Sequence, residues 1–422
     1  MGRTLVEKIL LAHTEADDLA PGDIVVVRCD VVMTNDISGP IAFRTMREMG
    51  AERVFDPKKV VLVPDHFIPA KDAAAAELQK LLREWAGAQG VAYYEQGRGG
   101  IEHTLLVEEG WVVPGSVIAG GDAHTCTYGA LGAFGTGLGS TDIACCLAIG
   151  EFWQVVPSTI QIEFTGTRRP WVTGKDLILA VLAEIGVHGG LGAALEFVGP
   201  AAAELTIDER LAVANMAVEA GSETGFFPAD AVVARYLEGR ADRPWQGERT
   251  DGDAELQRRV QIDVGSFPSL VALPHSPGNV VPIAEACGRR IDQVYIGNCS
   301  NGTMTDLRQA AEILRGRTLH PRVRAIIVPA TQRVYREALA EGLLDVFLAA
   351  GALVSAPTCG ACFGGSNGIL AAGENAIATT NRNFVGRMGS RDAGVHLANA
   401  WVAAAAAVAG EIVDPAELGS AA

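Results

Sequence analysis

The amino-acid sequence predicts an α/β protein of three domains with mostly parallel sheets, on three observations. Apolar, β-branched runs such as "DIVVVRCDVVM" (23–33), "KVVLVPD" (59–65) and "RAIIVPA" (324–330) alternate with helical patterns such as "AKDAAAAELQKLLREWAGAQG" (70–90). That alternation is the signature of parallel strands covered by helices. The chain has 422 residues and is 49% hydrophobic, enough for more than one core. Its 49 glycines suit the tight turns and close backbone approaches of a large α/β enzyme.

Taken in order, "RTLVEKILLAHTEADD" reads as a short amphipathic helix, with acidic residues where a signal peptide would have an apolar core. The stretch 331–351 reads as an amphipathic helix ended by Gly351. "ANAWVAAAAAVAG" (398–410) is too short and alanine-rich for a membrane span and is expected to be a buried helix. Polar seams after 158–176 and at the charged stretch 238–259, the latter expected to be an exposed loop, set domains near 1–163, 164–283 and 284–422. No internal repeat is present.

The net charge is −16, from 34 basic and 50 acidic residues. Such a surface repels nucleic acid and anionic membranes, so an anionic substrate requires a local group of arginines. Eight cysteines are too sparse for a disulfide scaffold, and a cytoplasmic protein with reduced thiols is expected.

Three cysteines follow apolar strands on glycine-rich loops: Cys299 in "GNCSNG", and Cys359 and Cys362 in "PTCGACFGG". Strand ends of this kind form the binding edge of an open α/β sheet. Three thiolates do not close a four-coordinate structural zinc site, and the position they leave open suits catalysis. Cys126 in "GDAHTCTYG" competes as a fourth ligand. Cys145 and Cys146, adjacent in an apolar helical run, and Cys29 and Cys287 read as packing residues. A redox couple at Cys359–Cys362 would want a thioredoxin-like context, which is missing.

Acid–base groups concentrate at further strand ends. "VPDHFIP" sets Asp65 beside His66, where the carboxylate can stabilise an imidazolium that protonates a leaving group. "GGDAHTCTYG" supplies Asp122 and His124, and "GIEHTLL" supplies His103. "TNRNFVGRMGS" carries Arg382 and Arg387, whose guanidinium forks suit carboxylates.

In order and spacing, "GDAHTCTYGALGAFGTGLGSTD", "IGNCSNG", "PTCGACFGG" and "NRNFVGR" resemble the aconitase superfamily over almost the whole chain. The resemblance is closest to its two-subunit members, the large subunits of 3-isopropylmalate dehydratase and homoaconitase. It implies three α/β domains around a central 4Fe-4S cluster held by Cys299, Cys359 and Cys362, with one iron open to a substrate hydroxyl and carboxylate. Cys126 is then nearby without being a ligand.

The resemblance also implies that Asp65 and His66 protonate the departing hydroxyl. Asp122, His124, His103 and Glu196 would surround the iron-bound water, Asn35 would contact substrate, and Arg382 and Arg387 would bind its carboxylates. The implied activity is a hydro-lyase on a hydroxy di- or tricarboxylate. The first choice is the interconversion of 2- and 3-isopropylmalate in leucine biosynthesis; homoaconitate, citrate, a dimethylmalate or a hydroxymethylglutarate are alternatives. The family's swivelling fourth domain, with its serine base, has no counterpart here, so a separate small subunit is expected to supply it.

Ala123, Asn298 and Thr303 stand where the family usually has Ser, Ser and Arg, and substrate identity is what these departures touch. Two readings from other classes compete: an apo-form RNA-binding regulator, disfavoured by the acidic charge, and a non-catalytic zinc module, which would need a fourth ligand.

Overall fold

The computed structural model describes residues 2–241 and 243–419. Three large sheets organise it, beside a two-stranded antiparallel ribbon of Ile24–Arg28 and Glu151–Val155, and each of the three draws its strands from a contiguous or nearly contiguous part of the chain. The first has five parallel strands in the spatial order Ala92–Tyr93, Val60–Val63, Val31–Asn35, Val117–Gly120, Phe134–Gly137. The strands Val31–Asn35, Val60–Val63 and Val117–Gly120 are buried along their whole length. A parallel strand covered on both faces needs that continuous apolar run.

The second sheet has four parallel strands: Thr224–Phe226, Ala193–Val198, Ser158–Thr165 and Arg258–Asp263. The third has seven. Its parallel part runs Gly394–Leu397, Asn375–Ala378, Gln293–Gly297, Arg324–Val328, Leu353–Val354, and Leu270–Ala272 and Val280–Pro282 extend it antiparallel at one edge. The strand Ser158–Thr165 thus belongs to the second sheet, and the 270–282 segment to the third. One apolar cluster joins these two sheets, with Phe164 and Phe197 of the second packed in it with Tyr295, Ile326 and Val328 of the third.

Local sequence accounts for most helix ends. Thr4 and Glu7 form a capping box that starts the helix Leu5–Ala12. Asp72 caps Ala73–Gln89, and Gly90 in the left-handed region ends it. The helix Ala400–Ala409 is buried as expected, because alanine lets it lie flush against the third sheet. The expected single helix over 331–351 is instead two, Gln332–Ala340 and Leu343–Ala350, broken where Gly342 turns to φ +72°. No helix among the described residues is long and apolar enough to cross a membrane.

Among the described residues of the charged stretch, 238–241 and 243–257 form no helix and no strand of any sheet, yet the stretch is tied down. Thr250 accepts from the Leu5 N–H and donates to Glu196, and Lys8 reaches the Arg249 carbonyl. This strap therefore fastens the N-terminal helix to the second sheet.

Candidate active site

The C-terminal ends of strands from the first and third sheets converge on one buried chamber. Asn35 ends Val31–Asn35, Asp65 lies just beyond Val60–Val63, and Asp122 lies just beyond Val117–Gly120. From the third sheet, Cys299 follows Gln293–Gly297 and Asn381 follows Asn375–Ala378. The sheets are stitched together at this edge: the Ile101 N–H donates to the Ala330 carbonyl at 2.7 Å, and the Cys359 N–H to the Asp65 carbonyl at 2.8 Å.

The turn into Cys299 is built on Gly297 at φ +136° and Asn298 at φ +86°. A Cβ on Gly297 would lie 2.0 Å from the Val328 carbonyl oxygen, so only glycine fits there. Asn298 is among the few side chains that tolerate the left-handed region, and its amide donates to the Cys359 carbonyl at 3.2 Å. Thr303 starts the helix Met304–Leu314 through a capping box with Asp306. Both departures from the family pattern therefore serve the backbone that carries the cysteines.

Cys299, Cys359 and Cys362 face this chamber. Asn215 and Asn381 donate amide hydrogens to the Cys299 sulfur at 3.3 and 3.4 Å, and Cys362 lies 3.3 Å from Asn381 Oδ1. Burial pushes the Cys299 and Cys359 thiols well above their ordinary range, and neighbouring thiol and carboxyl charges push them further. Such thiols ionise only when a cation is bound against them. Beside them, ligand atoms of Asp65, His66 and Cys359 lie within 4.8 Å of one another. None of the three cysteines is paired in a disulfide, and with Asn215 and Asn381 against two of the sulfurs the set suits thiolate ligation of a cluster. Cys126, the competing candidate, directs its sulfur to the Asn215 carbonyl at 3.4 Å. Cys29 and Cys146 are buried packing residues, whereas Cys287, expected to pack, is exposed beyond the short helix Ile283–Ala286.

Against the thiols stands a dense acid–base network. His66 Nδ1 lies 2.6 Å from Asp65 Oδ1, while the Glu102 N–H donates to Asp65 Oδ2 at 2.9 Å. Burial alone would lower the His66 pKa, but the Asp65 charge, the nearby Asp122 carboxylate and the Asp65 hydrogen bond outweigh it and raise the imidazole well above its usual range, favouring its protonated form. Asp36, fully buried, accepts from the N–H groups of Asp65, His66 and Phe67 at 3.0–3.1 Å and so fixes this turn.

Asp122 is the hub. Its Oδ1 meets His103 Nε2 at 2.9 Å and the His124 N–H at 2.8 Å, and its Oδ2 lies 3.7 Å from His66 Nε2. Burial would raise Asp122, but hydrogen bonds from His103 and His124 and the nearby His66 imidazole prevail and hold it well below the carboxylate range. Glu102 behaves in the opposite way. Burial, then the charges of Asp65 and Asp122, push it well up and favour its neutral form, with Asn35 donating to it at 3.2 Å.

Of the expected site residues, Asp65, His66, His103, Asp122, His124, Asn35, Arg382 and the three cysteines come together here. Arg387 lies on the same loop as Arg382, its backbone carbonyl beside Gly364 and its Nε buried without a partner. Glu196 does not join them. It lies inside the strand Ala193–Val198, paired alongside Gln161 and hydrogen-bonded to Gln161 and Thr250. The carboxylate in the chamber is Glu219, which His124 Nε2 meets at 2.9 Å and Arg382 Nε at 2.7 Å. Burial raises Glu219, but these two partners prevail and hold it below its ordinary range. The signal for it was "NMAVEAG" (215–221), where Asn215 and Glu219 are the polar residues of an otherwise apolar, buried helix end.

The profile of the Aconitase family (aconitate hydratase) matches residues 7–290 and 285–410. The chain is 71% identical over 418 residues to the 3-isopropylmalate dehydratase large subunit 2 of Rubrobacter xylanophilus, covering 99% of each. It is 50% identical to the 3-isopropylmalate dehydratase large subunit of Desulfitobacterium hafniense, over 99% of this chain and all of that one. The large subunit 1 from Pyrococcus furiosus is 48% identical, with 99% of each covered. Among solved structures, the holo-form of Thermococcus kodakaraensis aconitase X shares the fold with a TM-score of 0.51 at 14% identity, over 91% of this chain and 94% of that one. The chain belongs to the aconitase family.

Proposed function

We propose that this chain is the large subunit of a hydro-lyase that interconverts 2- and 3-isopropylmalate, within leucine biosynthesis. One observation carries the reading: the His66–Asp65 pair, hydrogen-bonded at 2.6 Å, and the Asp122–His103 pair at 2.9 Å stand at the same buried sheet edge as three unpaired cysteines, with Cys359 Sγ 3.8 Å from Asp65 Oδ2. Full-length relatives named as 3-isopropylmalate dehydratase large subunits support the substrate.

Cys299, Cys359 and Cys362 would hold a 4Fe-4S cluster, which supplies a Lewis-acidic iron for a hydroxyl and its neighbouring carboxylate. The other side chains handle protons and charge. His66, kept cationic by Asp65, holds at its ring the proton that a departing hydroxyl needs. Asp122 orients His103 and His124 toward the same space. Arg382, steadied by Glu219, presents a guanidinium to a substrate carboxylate, and Arg387 stands on the same loop. Neutral Glu102 with Asn35 offers a polar wall without adding a further negative charge beside a dicarboxylate.

A separate small subunit would close the chamber and supply the base that abstracts the C–H proton. We place the reaction in the cytoplasm, a reading supported by eight cysteines that form no disulfide. The three sheets support three α/β units, with the antiparallel 270–282 segment assigned to the third.

The test is anaerobic co-expression with the small-subunit partner and a panel of hydroxy di- and tricarboxylates, following the ultraviolet absorbance of the unsaturated acid. Turnover of 3-isopropylmalate above the rest of the panel is expected. Preference for homoaconitate or citrate would reassign the substrate, and no turnover of any would overturn the reading.

A further inference from the structure

Lys175 is fully buried, at 0% exposure, in the first turn of the helix Gly174–Ile185. Its ammonium donates to the backbone carbonyls of Thr379 at 2.9 Å and Thr380 at 2.6 Å. It makes no ion pair among the described residues. The adjacent carboxylate, Asp176, is spent on the Thr173 and Leu270 N–H groups and the Asn399 amide. An ammonium held in the interior against neutral carbonyls, at the positive end of a helix, is an expensive arrangement. Burial accordingly lowers its pKa to about 8, and the groups that counter the fall are led by Cys362, Asp306 and Cys299. Asp306 is itself engaged by Asn301 and the Thr303 cap. The geometric link to the cysteines is direct: the residue after the Thr380 carbonyl is Asn381, whose amide lies 3.4 Å from the Cys299 sulfur.

The two carbonyls it grips directly precede Asn381 and Arg382. Thr379 also ties this segment to the Cys299 turn, accepting from the Gly297 N–H at 2.9 Å, while Ser300 donates to its carbonyl at 2.9 Å. We propose that Lys175 is a positioning residue for the metal centre: its ammonium is the fixed counter-charge of the thiolate-held cluster and pins the backbone that aims Asn381 at Cys299 and Arg382 at Glu219. The inference rests on the cluster reading of the preceding subsection and adds to it a residue beyond the coordinating sulfurs.

The experiment compares anaerobically reconstituted wild-type protein with Lys175→Gln and Lys175→Met, reading the cluster midpoint potential by an electron-paramagnetic-resonance redox titration and iron loss to a chelator. Gln keeps two N–H donors for the carbonyls but no charge, so it separates counter-charge from strut; if Lys175→Met fails to fold, Lys175→Gln carries the test. Removing a nearby positive charge disfavours the more negative, reduced cluster. The reduced-to-oxidised ratio at fixed potential should fall about tenfold in Lys175→Gln, a shift of about 59 mV to lower potential for one electron, with faster iron loss. A Lys175→Gln protein at the wild-type potential would reduce Lys175 to a strut and overturn the inference alone. Wild-type protein that forms no cluster would overturn it together with the cluster reading.

Discussion

Glu219 is the site residue whose removal has the most direct arithmetic. Its carboxylate accepts from His124 Nε2 at 2.9 Å and Arg382 Nε at 2.7 Å, and its side chain is 2% exposed. A hydrogen bond to a charged group contributes about 1.5–3 kcal/mol. In Glu219→Gln the amide oxygen can retain one donor, while the new NH₂ opposes the other, so about 2–4 kcal/mol of stability should be lost at pH 7. The pH dependence has a definite sign. The folded-state pKa of Glu219 is depressed, so its contribution is present above the unfolded value of about 4.3 and disappears as pH falls through the lower folded value. Urea unfolding should therefore show a gap between wild type and variant that is constant above about pH 5 and closes below it. With Arg382 no longer steadied, KM for the hydroxy acid should rise by about tenfold, equivalent to about 1.4 kcal/mol. Equal urea midpoints at pH 7 together with an unchanged KM would refute the reasoning.

Three further substitutions separate the parts of the site. Glu102→Gln should leave stability within about 1 kcal/mol and turnover within a few-fold, because its surroundings already favour the neutral carboxyl; a loss of a hundredfold in kcat would show that it ionises. Asp36→Ala orphans three N–H groups, two of them buried, and should cost about 3 kcal/mol in urea unfolding, with loss of turnover as His66 is released. Glu196→Gln, away from the chamber, should change kcat and KM by less than about twofold while loosening the strap at Thr250, which limited proteolysis would report; a collapse of kcat with intact folding would restore Glu196 to the site.

The site was legible where chemistry-bearing residues sit next to one another at the end of an apolar strand. Asp65–His66, Asp122–His124 and the two cysteine loops are of this kind, because a parallel sheet delivers its strand ends to one edge. Glu219 was not, since only the packing of the helix Ile207–Asn215 against the 123–131 turn brings it to His124. Glu196 misled because a lone acid in an apolar run looks functional, whereas strand pairing gave it Gln161 and the strap gave it Thr250. Glu102 was hidden by a different route: its upward shift comes from burial and then from two carboxylates distant in sequence, Asp65 and Asp122. The break at Gly342 is equally invisible to periodicity, because the apolar pattern runs on through it while the backbone turns.

The central claim is that Cys299, Cys359 and Cys362 together anchor an iron–sulfur cluster. Iron and acid-labile sulfide analysis of the anaerobically reconstituted chain, beside three variants each with one of these cysteines changed to serine, tests it most directly. The account predicts iron and sulfide in near-equal amounts in the wild type and a marked loss of both in every variant, with Cys126→Ser unchanged. Wild-type protein holding no sulfide, or zinc in place of iron, would contradict it.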